Sequence, residues 1–259
     1  MILRGNFSSE ILHLDTGIQI LIPDKVDGPF RIVYLLHGLH GDDGSWLDNT
    51  MLPFFAKKQN TVFVMPDVNR SFYANQKYGR RYFDYISEEL PQVCRRYFNI
   101  SAKREDTAII GASMGGFGAL LYALSLPEQY GFCGAISTAC LDVKYILESL
   151  QMDTGVYLST GPEAREILTD LYAIYGDELL YREDYDATYL AKNFPKDKPR
   201  PKIYATCGTE DDLRKQNLHF RDDMLNTQFD FTYEEWPGGH DWIFFNEALR
   251  KTLELWFSL

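Results

Sequence analysis

The sequence predicts an α/β domain with a mostly parallel central sheet, an antiparallel hairpin at its N-terminal edge and a helical insert over the strand ends. Three observations carry this reading. Short β-rich runs alternate with helical patterns from residue 30 onward, as strand–helix units around a parallel sheet do. Several runs are apolar throughout and do not alternate, which is how strands covered on both faces read. The chain has 259 residues, 45% of them hydrophobic and 15% aromatic, and single α/β domains routinely reach ~250 residues. A chain of this length buries roughly 70–75% of the surface it exposes when unfolded. Residues 1–259 are therefore read as one domain, with 141–200 as a candidate cap or insert.

Residues 1–28 hold two alternating runs around Asp15-Thr16-Gly17, the pattern of an edge hairpin. Strand candidates follow at 31–36 (RIVYLL), 61–65 (TVFVM), 107–111 (TAIIG), 134–137 (GAIS), 202–207 (KIYATC) and 229–236 (FDFTYEEW). Between them, 80–98 puts Tyr82, Ile86, Leu90, Val93 and Tyr97 on one stripe, with a kink expected at Pro91. After residue 114, Phe117, Leu120, Leu121 and Leu124 recur at helical spacing. Residues 246–259 close the chain with Leu249, Leu253 and Trp256 on one face. The stretch 141–200 lacks a convincing strand and is rich in tyrosine. It reads either as connecting helices or as a cap above the strand ends, where open α/β sheets bind ligands.

Charge narrows the partners. Lys+Arg number 26 against 37 Asp+Glu, a formal net charge of −11. Nucleic acid and anionic membrane surfaces both need clustered Lys/Arg, so neither is expected. No apolar run approaches the ~18 residues that cross a bilayer, and Ser8, Ser9, Glu10, His13 and Asp15 interrupt any N-terminal secretory signal. Cys94, Cys133, Cys140 and Cys207 show no C-x-x-C spacing, which fits free thiols in a reducing compartment. The expectation is a cytoplasmic protein with a small-molecule partner; a homo-oligomer is left open.

The strongest motif is Gly111-Ala112-Ser113-Met114-Gly115-Gly116, which follows a strand candidate and opens a striped helix. That is G-x-S-x-G in the strand–turn–helix context it requires. A sharp turn exposes the Ser113 hydroxyl, and the Met114 N–H near the helix start points to where an oxyanion would form. A phosphate-cradling loop fits poorly, because the lysine it needs is missing.

A serine nucleophile needs a base. Of five histidines, His13 lies in the edge hairpin and His219 in a helix before the last strand. His240 sits in the loop WPGGHDW between the last strand and the last helix, after the serine as the chain order Ser…Asp…His demands. The third member should be a carboxylate at the turn Gly208-Thr209-Glu210-Asp211-Asp212, and position alone does not choose among Glu210, Asp211 and Asp212. A second oxyanion donor is expected after an early strand, often in a loop beginning His-Gly; in Leu36-His37-Gly38-Leu39-His40-Gly41 the candidate is the Leu39 N–H. The same loop admits a metal reading through His37, His40, Asp42 and Asp43. No further ligand run supports it, and no metal is expected.

These segments together resemble a known family. YLLHGLHGDDGSW, FYANQKYG, EELPQV, GASMGGFGAL, CGTEDDL and PGGHDW look like the esterase-D branch of the α/β-hydrolases. That branch includes tributyrin esterases, feruloyl and acetyl-xylan esterases, S-formylglutathione hydrolases and mycolyltransferases. The resemblance spans roughly 30–125 and 200–250, so it leaves out 141–200. It implies the α/β-hydrolase fold, Ser113 as nucleophile, Asp211 as acid, His240 as base, and Leu39 and Met114 as oxyanion donors. In one departure, Asp212 stands where an aromatic often follows the acid.

The expected activity is a cofactor-independent serine esterase working through an acyl-enzyme. Trp46, Tyr78 and Trp242, with Phe72 and Tyr73, flank the catalytic loops and are candidate walls of an apolar or sugar-stacking pocket. The resemblance favours short-acyl or hydroxycinnamoyl esters of alcohols or carbohydrates. The alternatives are an S-formylglutathione thioesterase, an acyltransferase on the same triad, and a non-catalytic binding protein on the same fold.

Overall fold

The structure is a computed structural model that describes residues 1–24, 28–152 and 162–259, with side chains described at all of these except 162–164. Residues 153–161 of the expected insert therefore lie outside the described residues. Among the described residues, eight strands form one sheet: β1 (Ile2–Ser9), β2 (Leu14–Leu21), β3 (Arg31–Leu36), β4 (Thr61–Pro66), β5 (Thr107–Ala112), β6 (Phe132–Ile136), β7 (Lys202–Gly208) and β8 (Phe231–Trp236). Their order is β1-β2-β4-β3-β5-β6-β7-β8. Pairs β1/β2 and β2/β4 are antiparallel, and every pair from β4/β3 to β7/β8 is parallel.

Every expected strand from residue 31 onward exists, with no end moved by more than two residues. The apolar runs mean what they should in a doubly covered sheet. In β3, Ile32, Tyr34 and Leu36 enter one core, while Val33 and Leu35 enter the core on the opposite face. Successive side chains leave a strand on opposite sides, so both sides must be apolar.

The edge hairpin forms, but its turn is not at Asp15-Thr16-Gly17. Those residues pair with Ser8, Phe7 and Asn6 inside β2, and the chain reverses at 10–13, with His13 at φ 53°. A distant carboxylate organises that reversal. The Glu10 N–H donates to Glu89 at 2.7 Å and the Ser9 hydroxyl donates to the same carboxylate. Ser9 Oγ in turn accepts the Leu12 N–H at 2.9 Å.

Among the described residues, ten α-helical segments surround the sheet: α1 (Ser45–Asn49), α2 (Leu52–Phe55), α3 (Tyr82–Asp84), α4 (Leu90–Tyr97), α5 (Met114–Ser125), α6 (Val143–Gln151), α7 (Pro162–Tyr175), α8 (Ala187–Lys192), α9 (Arg214–Met224) and α10 (Trp242–Phe257). The stripe expected over 80–98 is only partly right. A π-helical turn, Tyr85–Glu89, joins α3 to α4. Tyr82, Ile86, Leu90 and Cys94 face the core, and Tyr97 is 70% exposed. Pro91 has no N–H and its ring crowds the carbonyl four residues back. The wider i→i+5 winding just before it absorbs that mismatch and rotates the following face by about one residue.

The last helix starts four residues earlier than expected, because Asp241 caps it. Its Oδ1 accepts the N–H groups of Ile243 and Phe244 at 2.9 and 3.0 Å. Leu249, Leu253 and Trp256 are buried as expected. The 141–200 segment shows helices and, among the described residues, no strand. Its α7 is tied to the loop after β4: Arg70 pairs with Asp170 at 2.8 Å, and the Tyr78 N–H donates to the Ala173 carbonyl at 3.0 Å. Among the described residues no helix is long and apolar enough to cross a membrane.

Candidate active site

The turn from β5 into α5 forces Ser113 into a rare conformation, φ 59° and ψ −119°. Such backbone costs of order 1–3 kcal/mol and persists only where neighbours over-determine it. Here they do. The Ser113 N–H donates to the Ile136 carbonyl at 2.9 Å, and the Ser113 carbonyl accepts the N–H groups of Phe117 and Ala139 at 3.1 and 3.2 Å. The flanking glycines are steric requirements. A Cβ at Gly111 would fall 2.1 Å from the Gly115 carbonyl oxygen, and one at Gly115 would fall 2.2 Å from that of Leu36.

The loop after β8 and the turn after β7 bring two partners to this serine. Ser113 Oγ lies 2.9 Å from His240 Nε2, and His240 Nδ1 lies 2.9 Å from Asp211 Oδ2. An ionised Asp211 only accepts, so the pairing assigns the proton to Nδ1 and leaves Nε2 to accept from the serine hydroxyl. The Asp211 side chain has no exposed surface, and its Oδ1 accepts the Leu213 N–H at 2.8 Å. Burial pushes its carboxyl up, but hydrogen bonds from His240 and the Leu213 N–H outweigh this and hold it below the usual carboxylate range. Glu210 and Asp212, the two other carboxylates the turn offered, are exposed.

Aromatic rings hold the imidazole. Phe245 meets His240 edge-on with centroids 5.1 Å apart, Trp242 meets Phe245 at 5.5 Å, and Trp46 meets Trp242 at 5.4 Å. Trp46 itself is fully buried and donates its indole N–H to the Leu36 carbonyl at 3.0 Å. It is thus a buttress under Trp242, not the substrate contact expected from sequence. Tyr78 also departs from expectation. Its hydroxyl donates to Asp177 at 3.1 Å, and it does not line the cavity above Ser113, whereas Trp242 does.

The loop after β3 is braced from below. His37 is buried, with Nδ1 donating to the Gly38 carbonyl at 2.8 Å and Nε2 accepting the Val68 N–H at 3.1 Å. Both nitrogens are engaged by backbone, which argues against the metal reading of this loop. The Tyr73 hydroxyl donates to the His37 carbonyl at 2.9 Å. Leu39 and Met114 both line the cavity beside Ser113. Among the described residues, neither N–H donates to a protein acceptor, and Met114 opens α5, where helix N–H groups lack intrahelical partners.

The cavity over Ser113 and His240 measures about 810 Å³. One wall is apolar and comes partly from the 141–200 segment, through Ile146, Ile167 and Leu171, with Phe72 and Cys140 beside them. The other carries Asp142, Asp212, Lys215 and Gln216. Burial pushes the Cys140 thiol up to about 12, so it offers no thiolate near neutrality. The cap reading of 141–200 offered this placement, but which of its side chains reach the cavity, and the role of Phe245, escaped the sequence reading. Side chains from far-apart helices meet there with no local spacing to announce them.

The model of the putative esterase family matches residues 9–255. An acetyl esterase of Caldicellulosiruptor saccharolyticus is 30% identical, over 99% of this chain and 98% of its own. The fluorophosphonate-binding serine hydrolase F of Staphylococcus aureus superposes with a TM-score of 0.84 at 26% identity, covering 99% of this chain and 98% of its own. An S-formylglutathione hydrolase of the same organism superposes with a TM-score of 0.82 at 25% identity and the same coverage.

Proposed function

The chain belongs to the putative esterase family and is a serine ester hydrolase, and from that premise we propose that it cleaves short-acyl esters of small alcohols or carbohydrates through an acyl-enzyme on Ser113. The observation that carries the reading is the hydrogen-bonded relay Ser113–His240–Asp211, with both contacts at 2.9 Å. Ser113 Oγ attacks the ester carbonyl as His240 Nε2 takes its proton. The N–H groups of Leu39 and Met114 receive the oxyanion, each worth about 3–4 kcal/mol of barrier by precedent. Asp211 holds the imidazole tautomer and stabilises the imidazolium. His240 then protonates the leaving alcohol, and water repeats the cycle on the acyl-enzyme.

The acetyl esterase relative supports a short acyl group. An S-formylglutathione reading draws on the Staphylococcus hydrolase, but the cavity's charge disfavours it. Its lining carries Asp142, Asp212 and Asp241 against Lys215, and glutathione is itself a net anion, which an acidic cleft repels. A kcat/KM panel of p-nitrophenyl acetate, butyrate and octanoate, methyl ferulate, acetylated xylo-oligosaccharide and S-formylglutathione tests this. Acetyl and butyryl esters are expected to lead. A preference of about 100-fold for octanoate or the thioester, some 2.7 kcal/mol of transition-state discrimination, overturns it. Product analysis with added glycerol separates hydrolysis from transfer to an alcohol.

The relay also predicts the pH profile. A carboxylate held below its usual range stays ionised throughout the weakly acidic region. Asp211 should therefore add no proton of its own to the acid limb, and the limiting slope of log kcat/KM there should not exceed one. A limiting slope of two would mean that Asp211 protonates in the same window and would contradict the assignment.

A further inference from the structure

We propose that Phe72 is the wall that sets the acyl length this site accepts, dividing the active-site cavity from an apolar void behind it. The proposal rests on the esterase reading above. Two cavities share the side chains of Phe72, Cys140 and Leu171. On one side is the cavity of about 810 Å³ with Ser113 and His240. On the other is a void of about 10 Å³, lined otherwise by Ala74, Phe117, Val143, Ile174 and Tyr175. A void that small and apolar has neither the room nor the polar partners to hold a water well.

The chain works to aim Phe72 there. Phe72 and Tyr73 are consecutive non-glycine residues at φ 49° and 60°, a costly conformation found mainly where a side chain must be presented. Tyr73 supplies the brace. Its N–H donates to Ser71 Oγ at 3.1 Å, its hydroxyl holds the His37 carbonyl, and its carbonyl accepts from the Tyr122 hydroxyl at 2.8 Å. Its ring lies over Gly118, where a Cβ would come within 2.6 Å of it. Phe72 is only 5% exposed and is held as a rigid wall.

Chemistry decides which half of the ester meets that wall. His240 must hand its proton to the leaving oxygen, so the alcohol lies on the His240 side. The lining there comes from the elements that carry Asp211 and His240, through Asp212, Lys215, Asp241 and Trp242. Phe72, Cys140 and Leu171 come from the loops after β4 and β6 and from α7, which carry no member of the relay. The acyl chain faces them.

The test is the ratio of kcat/KM for p-nitrophenyl hexanoate and octanoate to that for acetate, in wild type, Phe72→Ala, Phe72→Leu and Leu171→Ala, using only protein that a fluorophosphonate probe labels. Each methylene newly buried favours the longer ester about fourfold, so Phe72→Ala should raise the ratio tenfold or more. Phe72→Leu and Leu171→Ala should move it the same way by less. If Phe72→Ala does not fold, the two milder variants decide. Labelled variants whose ratios stay within twofold of wild type overturn the proposal. So does a shift seen only when the alcohol is lengthened at constant acetyl. Loss of the underlying reading looks different: wild type would then hydrolyse none of the series, or Ser113→Ala would hydrolyse it equally well.

Discussion

Ser113→Ala is expected to lower kcat on p-nitrophenyl acetate by about 10⁴-fold or more while leaving the fold in place. The size follows from how the other groups act. His240 contributes by taking a proton from Ser113 Oγ, and Asp211 contributes only through His240. The two N–H groups stabilise an oxyanion that forms once Oγ has attacked. Removing that one atom idles the relay, and the residual rate comes from oxyanion stabilisation of direct water attack. For the same reason His240→Ala should cost about as much as the serine variant, and the double variant little more, since groups that act as a unit are not additive. Stability should barely move. Ser113 is partly exposed, and alanine meets the same backbone strain at φ 59° as serine does. Steady-state kcat, fluorophosphonate labelling and a thermal melt check the three parts. A labelled or active alanine variant within tenfold of wild type would remove Ser113 from the chemistry and revive the non-catalytic binding reading.

The strand–helix alternation was legible in sequence because buried parallel strands must be apolar on both faces, and RIVYLL and TVFVM are. The α/β-hydrolase fold and the esterase assignment, both implied by the motif set, hold. The candidate site was legible where the chemistry is local. GASMGG announces its turn because two backbone segments pass too close for any Cβ at Gly111 or Gly115. What sequence missed depends on contacts between distant segments. The hairpin turn was misplaced because Glu89, about eighty residues away, organises residues 9–12. The Tyr97 face was misassigned because a π turn ahead of Pro91 breaks the 3.6 period. Trp46 looked like a pocket residue because it follows the His37 loop, yet sequence proximity does not say whether a ring points out or beneath.

Asp211→Asn should cost up to about 10⁴-fold in kcat, whereas Asp212→Asn and Glu210→Gln should each cost less than tenfold. The three carboxylates are consecutive, but only Asp211 has both oxygens committed, one to His240 and one to the Leu213 N–H. An asparagine cannot serve both partners. With its amide NH₂ toward His240, the imidazole must accept at Nδ1, so Nε2 carries the proton and points a donor at Ser113. With NH₂ toward Leu213, two donors face each other in a buried site, which costs about 1–3 kcal/mol. Activity or stability is lost either way. A linked effect identifies the same carboxylate. A group whose folded-state value is depressed contributes stability above its unfolded value, ~3.9 for Asp, and loses it as the pH falls through the folded value. The asparagine variant should therefore melt below wild type at pH 7, and the gap should narrow only below about pH 4. If Asp212→Asn were the crippled variant and Asp211→Asn nearly normal, the acid would move by one residue and the buried 2.9 Å contact would lose its role.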